Sequence, residues 1–136
     1  MDGAFESEGI HVAVETPLDV FVEGHFNELC QVLLNVLTNA SEAIKTKNEP
    51  GEIVIWLALD DQMGVIHIRD NGGGIPEPIL PKIFDPYFTT RISSTGIGLY
   101  MARMILEQMH GRIEARNIEG GTEVMIFVPS AHKEQA

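Results

Sequence analysis

A chain of 136 residues, 44% of them hydrophobic, is long enough to close one core and too short for two independent domains, so residues 1–136 are expected to form a single unit. Nine basic side chains against twenty acidic ones leave a formal charge of −11, which removes the attraction behind nucleic-acid binding and makes an anionic lipid surface a poor partner. The single cysteine, Cys30, excludes an intrachain disulfide and a multi-cysteine metal site, fits a reducing compartment and reads as a small hydrophobe on a helix.

In chain order, IHVAVE (residues 10–15) alternates like a strand, TPLD reads as a turn, and VFVEG reads as a second short strand. From Asn27 to Lys47 nothing breaks a helix, and Leu29, Val32, Leu33, Val36, Leu37, Ala40 and Ile44 recur at the spacing of an apolar stripe. KNEPG punctuates, and EIVIWLALDDQMGVIHIRD predicts two strands joined by a DDQMG turn. The proline-rich IPEPILPKIFDPYF predicts one helical turn, and TTRISST has no periodicity. GIGLYMARMILEQMHG predicts a helix with glycines at its entrance and Gly111 at its stop. RIEARN and TEVMIFVP form two last strands around an IEGG turn. The expected architecture is α+β, a two-layer α/β sandwich in which helices cover one face of a mixed, mostly antiparallel sheet. Apolar runs such as IVIWLAL (53–59) fall far short of the ~20 residues that span a bilayer, and no signal peptide opens the chain. The expectation is a soluble, cytoplasmic domain without direct membrane contact, and its abrupt ends read as those of a piece cut from a longer protein.

Three groups of residues carry chemistry. On the long helix Glu28, Gln31, Asn35, Asn39 and Glu42 follow in steps of 3, 4, 4 and 3, which brings them onto one stripe. Such a stripe is either a solvated side or a working surface. Asparagine favours caps and turns over helix interiors, so Asn35 and Asn39 among apolar neighbours point to side-chain work. At residues 70–76 the string DNGGGIP follows an apolar run. An ionised Asp70 selects a donor such as an exocyclic amine and repels phosphate, while glycines 72–74 let the backbone approach a flat ligand; a plain turn is the competing reading. In STGIGLYMARMILEQM the glycines enter a helix, so free amides and the positive helix end face an anion. Neither a Walker phosphate loop nor a dinucleotide fingerprint occurs. Together the two glycine sites divide a ligand into an amine-bearing end and an anionic end.

The order LLNVLTNASEAI, DNGGGIP, IFDPYFTT and STGIGLYMARMILEQMHG resembles the N box, first glycine box, F box and second glycine box of the ATP-binding catalytic domain of sensor histidine kinases. That domain belongs to the Bergerat-fold superfamily with gyrase-type topoisomerases and heat-shock chaperone ATPases. The match spreads over residues 28 to 128, and the NAxEA variant is similar to the nitrogen-regulation subgroup. The resemblance implies ATP and Mg²⁺ as ligands, with Asp70 on the adenine amine, Thr122 beside it through water, Gly72, Gly74 and Ile75 shaping the purine pocket, and Asn39 on the metal. Asn35 matches a second phosphate- or metal-proximal position and, with Arg91, is implied to be catalytic. Phe84, Tyr87 and Phe88 resemble the aromatic hinge of an ATP lid over residues 89–95. Thr95, Gly96, Ile97, Gly98 and Leu99 would surround the phosphates, the two glycines through their amides.

The chain departs from the pattern at three places. Arg91 stands where lysine is common, Ser94 replaces the first glycine of the second box, and Glu42 occupies a position often basic. The superfamily's ATPases place a glutamate where this chain has Asn35, and an amide cannot take a proton at neutral pH, which favours phosphotransfer over hydrolysis. None of His11, His25, His67, His110 and His132 sits in an HExxxP-like context. The implied acceptor is therefore a histidine on a separate helical dimerisation domain, with a response regulator downstream, and the chain alone should autophosphorylate negligibly. A serine kinase of the anti-sigma-factor type and a non-catalytic nucleotide-dependent interaction module share the same boxes.

Overall fold

A computed structural model describes residues 10–15, 26–45, 50–60, 63–86 and 98–129. Strands β1 (Ile10–Glu15), β2 (Gly51–Asp60), β3 (Met63–Asp70), β4 (Arg112–Ile118) and β5 (Gly121–Pro129) form one sheet in the order β1-β2-β3-β5-β4. Only β1 and β2 run parallel, because helix α1 (Phe26–Lys45) lies between them in the chain and returns it to the same end of the sheet. Helix α2 (Gly98–Gln108) precedes β4, and a 3-10 turn, Leu80–Lys82, follows β3.

Strand alternation and helical periodicity meet in one core. Ile53 of β2, Ile66 and Ile68 of β3, Ile113 of β4 and Val124, Ile126 and Val128 of β5 pack with Val32, Val36, Leu37, Ala40 and Ile44 of α1 and with Leu99, Ala102 and Leu106 of α2. Leu29 and Leu33 complete the predicted α1 stripe at the rim of this cluster. Cys30 is exposed, so it stands off the stripe and is no part of the core.

The turns are tighter than the sequence predicts. Asp60 pairs with Met63 and Ile118 with Gly121, so strand pairing claims the outer residues of both predicted turns. Gly120, at φ 80°, makes the β4–β5 reversal. α2 ends in a Schellman arrangement, with Gly111 N–H donating to Leu106 O at 2.8 Å and His110 N–H to Glu107 O at 3.2 Å. The left-handed residue of that motif is His110, at φ 64°, one position before the glycine expected to stop the helix. The predicted VFVEG strand lies outside the described residues.

On the face away from the helices, Arg69, Glu123 and Arg116 lie side by side across β3, β5 and β4. Glu123 is wholly buried, yet it accepts from Arg69 at 2.9 Å, from Arg116 at 3.0 Å and from His67 Nδ1 at 2.6 Å. His67 stacks on Trp56 with ring centroids 4.7 Å apart. Burial pushes the Glu123 carboxyl up, but the hydrogen bonds from His67, Arg69 and Arg116 outweigh it and hold the group at about 2 against an ordinary 4.5. A depressed folded-state value stabilises the fold above the ordinary carboxyl range, and that stabilisation is lost as pH falls through about 2. Urea midpoints at pH 7, 4 and 2.5 should show Glu123→Gln destabilised by about 2 kcal/mol at pH 7, the exposed arginine heads discounting the effect. The variant should approach the parent chain as pH falls; parallel profiles would show that Glu123 does not carry this acid sensitivity.

Candidate functional site

β3 ends at Asp70, and its carboxylate turns back on the chain: Gly72 N–H donates to Asp70 Oδ1 at 2.7 Å. The loop then presses against α1, where a Cβ on Gly72 would stand 2.8 Å from the Cβ of Ala43. Gly74 takes φ 86°, a conformation costly for any residue with a side chain. Asparagines tie both sides of this loop to neighbouring strands. Asn71 Oδ1 accepts from Glu52 N–H of β2 at 2.8 Å, and Asn117 of β4 pairs its carboxamide with the backbone of Ile75.

Between this loop, α1 and the ends of β3 and β5 lies an open cleft. Val36, Ala40, Ala43, Ile68, Ile83 and Val124 give it apolar walls, Gly74 and Ile75 contribute the loop side, and Asn39, Asp70 and Thr122 supply polar groups. Asp70 and Thr122 are cross-strand partners and both are buried, so the two point into the cleft side by side. Asn35 lies one turn from Asn39 along α1, accepts from Gln31 Nε2 at 2.9 Å, and has its Cβ 3.9 Å from where a Cβ on Gly98 would stand. The amide stripe therefore runs from the carboxylate end of the cleft toward the start of α2. A slot with apolar walls and a carboxylate at one end suits a planar group bearing an amine donor.

The family profile "Histidine kinase-, DNA gyrase B-, and HSP90-like ATPase" matches residues 24–132. The chain belongs to this family. It is 40% identical over 102 residues to the signal transduction histidine-protein kinase AtoS of Escherichia coli (strain K12), a match that covers 74% of this chain and 16% of AtoS. It is 32% identical over 111 residues to sporulation kinase A of Bacillus subtilis (strain 168), covering 81% of this chain and 18% of that kinase. The chain thus spans less than a fifth of either curated relative. Among solved structures, the nucleotide-free catalytic domain of the histidine kinase ThkA superposes with a TM-score of 0.82 at 32% identity, covering 93% of this chain and 83% of that one. Full-length ShkA superposes with a TM-score of 0.82 at 23% identity, covering 96% of this chain and 28% of that one, which shows the shared fold. The α+β histidine-kinase-type ATPase domain expected from the boxes is the fold observed.

Of the residues singled out in the sequence, Asn39, Asp70, Gly74, Ile75 and Thr122 line one cleft, with Gly72 behind Asp70; Asn35 and Gly98 lie beside each other and outside its lining. The Leu99 side chain turns into the core, and Phe84 packs against that core. Tyr87, Phe88, Arg91, Thr95, Gly96 and Ile97 lie outside the described residues. Two residues escape a reading of the sequence. Asn117 carries no signal beyond its place near a turn. Gly121, read there as turn, is a strand residue whose backbone abuts the Asp70 carbonyl, leaving no room for a Cβ. Gly121→Ala should cost about 2–3 kcal/mol through overpacking against backbone, a loss of roughly 10 °C in Tm; a change below 2 °C would mean that the Asp70 end of β3 yields freely.

Proposed function

We propose that the chain binds Mg-ATP in this cleft and donates the γ-phosphoryl group to a histidine on a separate helical domain of its parent sensor kinase, which passes it to a response regulator. The observation that carries the reading is the pairing of Asp70 with Thr122 at one end of an apolar slot. An ionised carboxylate accepts from the adenine amine and excludes phosphate, so the triphosphate extends along α1 past Asn39 and Asn35 toward the start of α2. Among the described residues no three His, Cys, Asp or Glu side chains converge as a metal cage. A divalent cation would rest on the Asn39 carboxamide oxygen, the phosphates and water, a donor set that suits Mg²⁺, and once bound it would neutralise charge on the phosphates.

Transfer needs no base from this domain. The imidazole nitrogen of the acceptor attacks the γ-phosphorus, the bond to the β-phosphate oxygen breaks, and ADP leaves; the chain contributes position and charge compensation. Asn35 fits that division of labour because an amide cannot deprotonate water. Arg91 would add charge at the γ-phosphate, Tyr87 and Phe88 would form the aromatic hinge of the lid, and Thr95, Gly96, Ile97 and Gly98 would surround the phosphates. His67, already bound to Glu123 on the far face of the sheet, is not an acceptor. The NAxEA sequence supports a place in the nitrogen-regulation-type subgroup. A cytoplasmic location fits described helices none of which is long and apolar enough to cross a membrane.

Labelled ATP and a helical phosphoacceptor domain supplied in trans should give phosphohistidine on the acceptor and none on this chain. A chain that binds ATP but labels no competent acceptor would be an interaction module instead. Asp70→Asn should weaken ATP and ADP alike by about 10- to 100-fold, the worth of a hydrogen bond to a charged group. Asn39→Ala should lose affinity chiefly in the presence of Mg²⁺; equal losses with and without the metal would remove the metal role.

A further inference from the structure

Asn117 pairs with Thr122 through its backbone, and its side chain makes toward Ile75 the two contacts that a further strand's backbone would make. Its Oδ1 accepts from Ile75 N–H at 2.8 Å and its Nδ2 donates to Ile75 O at 2.6 Å, so one carboxamide satisfies both backbone groups of a loop residue that lines the cleft. Nδ2 also reaches Glu77 Oε2 at 3.3 Å. Next to this clamp, Gly73 N–H donates to Gly120 O at 3.0 Å, across to the β4–β5 turn. Gly74, between the two contacts, holds φ 86°, and a Cβ there would stand 3.2 Å from Asn117 Oδ1. Among the described residues the glycine loop has no strand partner of its own along this stretch. Its position is copied from the β4–β5 hairpin through Asn117.

We infer that Asn117 is a positioning residue for the base end of the cleft, holding Gly74 and Ile75 against the plane that a bound purine occupies. This rests on the reading of the cleft as the nucleotide site. Pre-organisation is the physical argument: a glycine-rich loop has the most backbone freedom to lose, and a partner that fixes it beforehand removes that cost from binding. A carboxamide suits the task because it carries donor and acceptor in one plane, where a hydroxyl or carboxylate at neutral pH would satisfy the pair less completely.

The test uses the whole chain with ADP as probe. Asn117→Ala should raise the ADP Kd about five- to twentyfold, the loss of two buried-edge hydrogen bonds. It should also accelerate amide hydrogen exchange at Ile75 about tenfold or more, while the core amides of Ile68 and Ile126 stay protected. Asn117→Asp keeps the acceptor for Ile75 N–H but sets a carboxylate beside Glu77. Ile75 protection should survive in that variant, ADP affinity should still fall, and Glu77→Gln in the same chain should recover part of it, a recovery a merely structural role would not produce. Should Asn117→Ala fail to fold, the Asn117→Asp and Glu77→Gln pair decides. The parent chain binding ADP with Asp70→Asn impaired, yet Asn117→Ala binding within twofold, would overturn the positioning role and leave the cleft reading intact. No ADP binding by the parent chain would overturn that reading itself and this inference with it.

Discussion

Everything in the cleft is measured from the end of β3. Asp70 pairs with Ile53 of β2 on one side and Thr122 of β5 on the other, and Gly121 is pressed against its carbonyl. A strand fixed on both edges cannot slip, since one residue of slip would turn Asp70 to the opposite face and bring Arg69 to the helix side. The carboxylate is thus placed by sheet register, the most cooperative feature of the fold, and the flexible loop beside it is placed by side chains that borrow that register. Asn71 reads it from β2 and Asn117 from β4. Loop geometry at this end of the cleft is a consequence of the sheet.

The two faces of β3 and β5 use adjacent residues for opposite purposes. Asp70 and Thr122 face the cleft, while Arg69 and Glu123, one residue away on each strand and partners of each other, face outward. A wholly buried carboxylate with two arginines and a histidine on it is costly to assemble and costly to break, because removing one member leaves an uncompensated charge. In this pair of strands, such a network opposes sliding or fraying just where the cleft needs Asp70 and Thr122 level. The stack of His67 on Trp56 and the Arg69 guanidinium 5.0 Å from the Trp56 ring extend the same outer surface onto β2.

The fold was legible because its signals are periodic. The α1 stripe from Leu29 to Ile44 states which face is buried, and the core contains the residues it names; the apolar runs of β2 and β5 mark strands without choosing a face, because apolar side chains stand at successive positions. The predicted turns are too long because Asp60 and Gly121 have turn-like identities that strand pairing overrides, and Met63 and Ile118 pair with them. Thr122 is named by the family resemblance alone, while Asn39 stands out in sequence among the apolar residues of its helix and Asp70 by its place before three glycines. Asn117 does not: its role depends on a loop 42 residues away in the chain, and no local pattern encodes a contact of that separation. Gly121 likewise looks like turn material until the neighbouring strand's carbonyl is in place. Glu123 was invisible for the same reason, since an acidic residue in a strand reads as solvated until its partners arrive from β3 and β4.

Charge fixes the direction in which a ligand can lie. At −11 the chain as a whole repels an anionic nucleotide, so binding energy must come from local contacts rather than from the long-range field. Inside the cleft the charged group is Asp70, set among apolar walls and the neutral Asn39 and Thr122. Placing a phosphate beside it would bury two like charges in a poorly screened slot, at a cost that no hydrogen bond there could offset. Placing a neutral, planar base there offers the carboxylate a donor and the walls an apolar face. In the proposed nucleotide complex the orientation would be selected as much by what Asp70 excludes as by what it binds, and the anionic tail would run along the asparagines of α1 toward the first turn of α2.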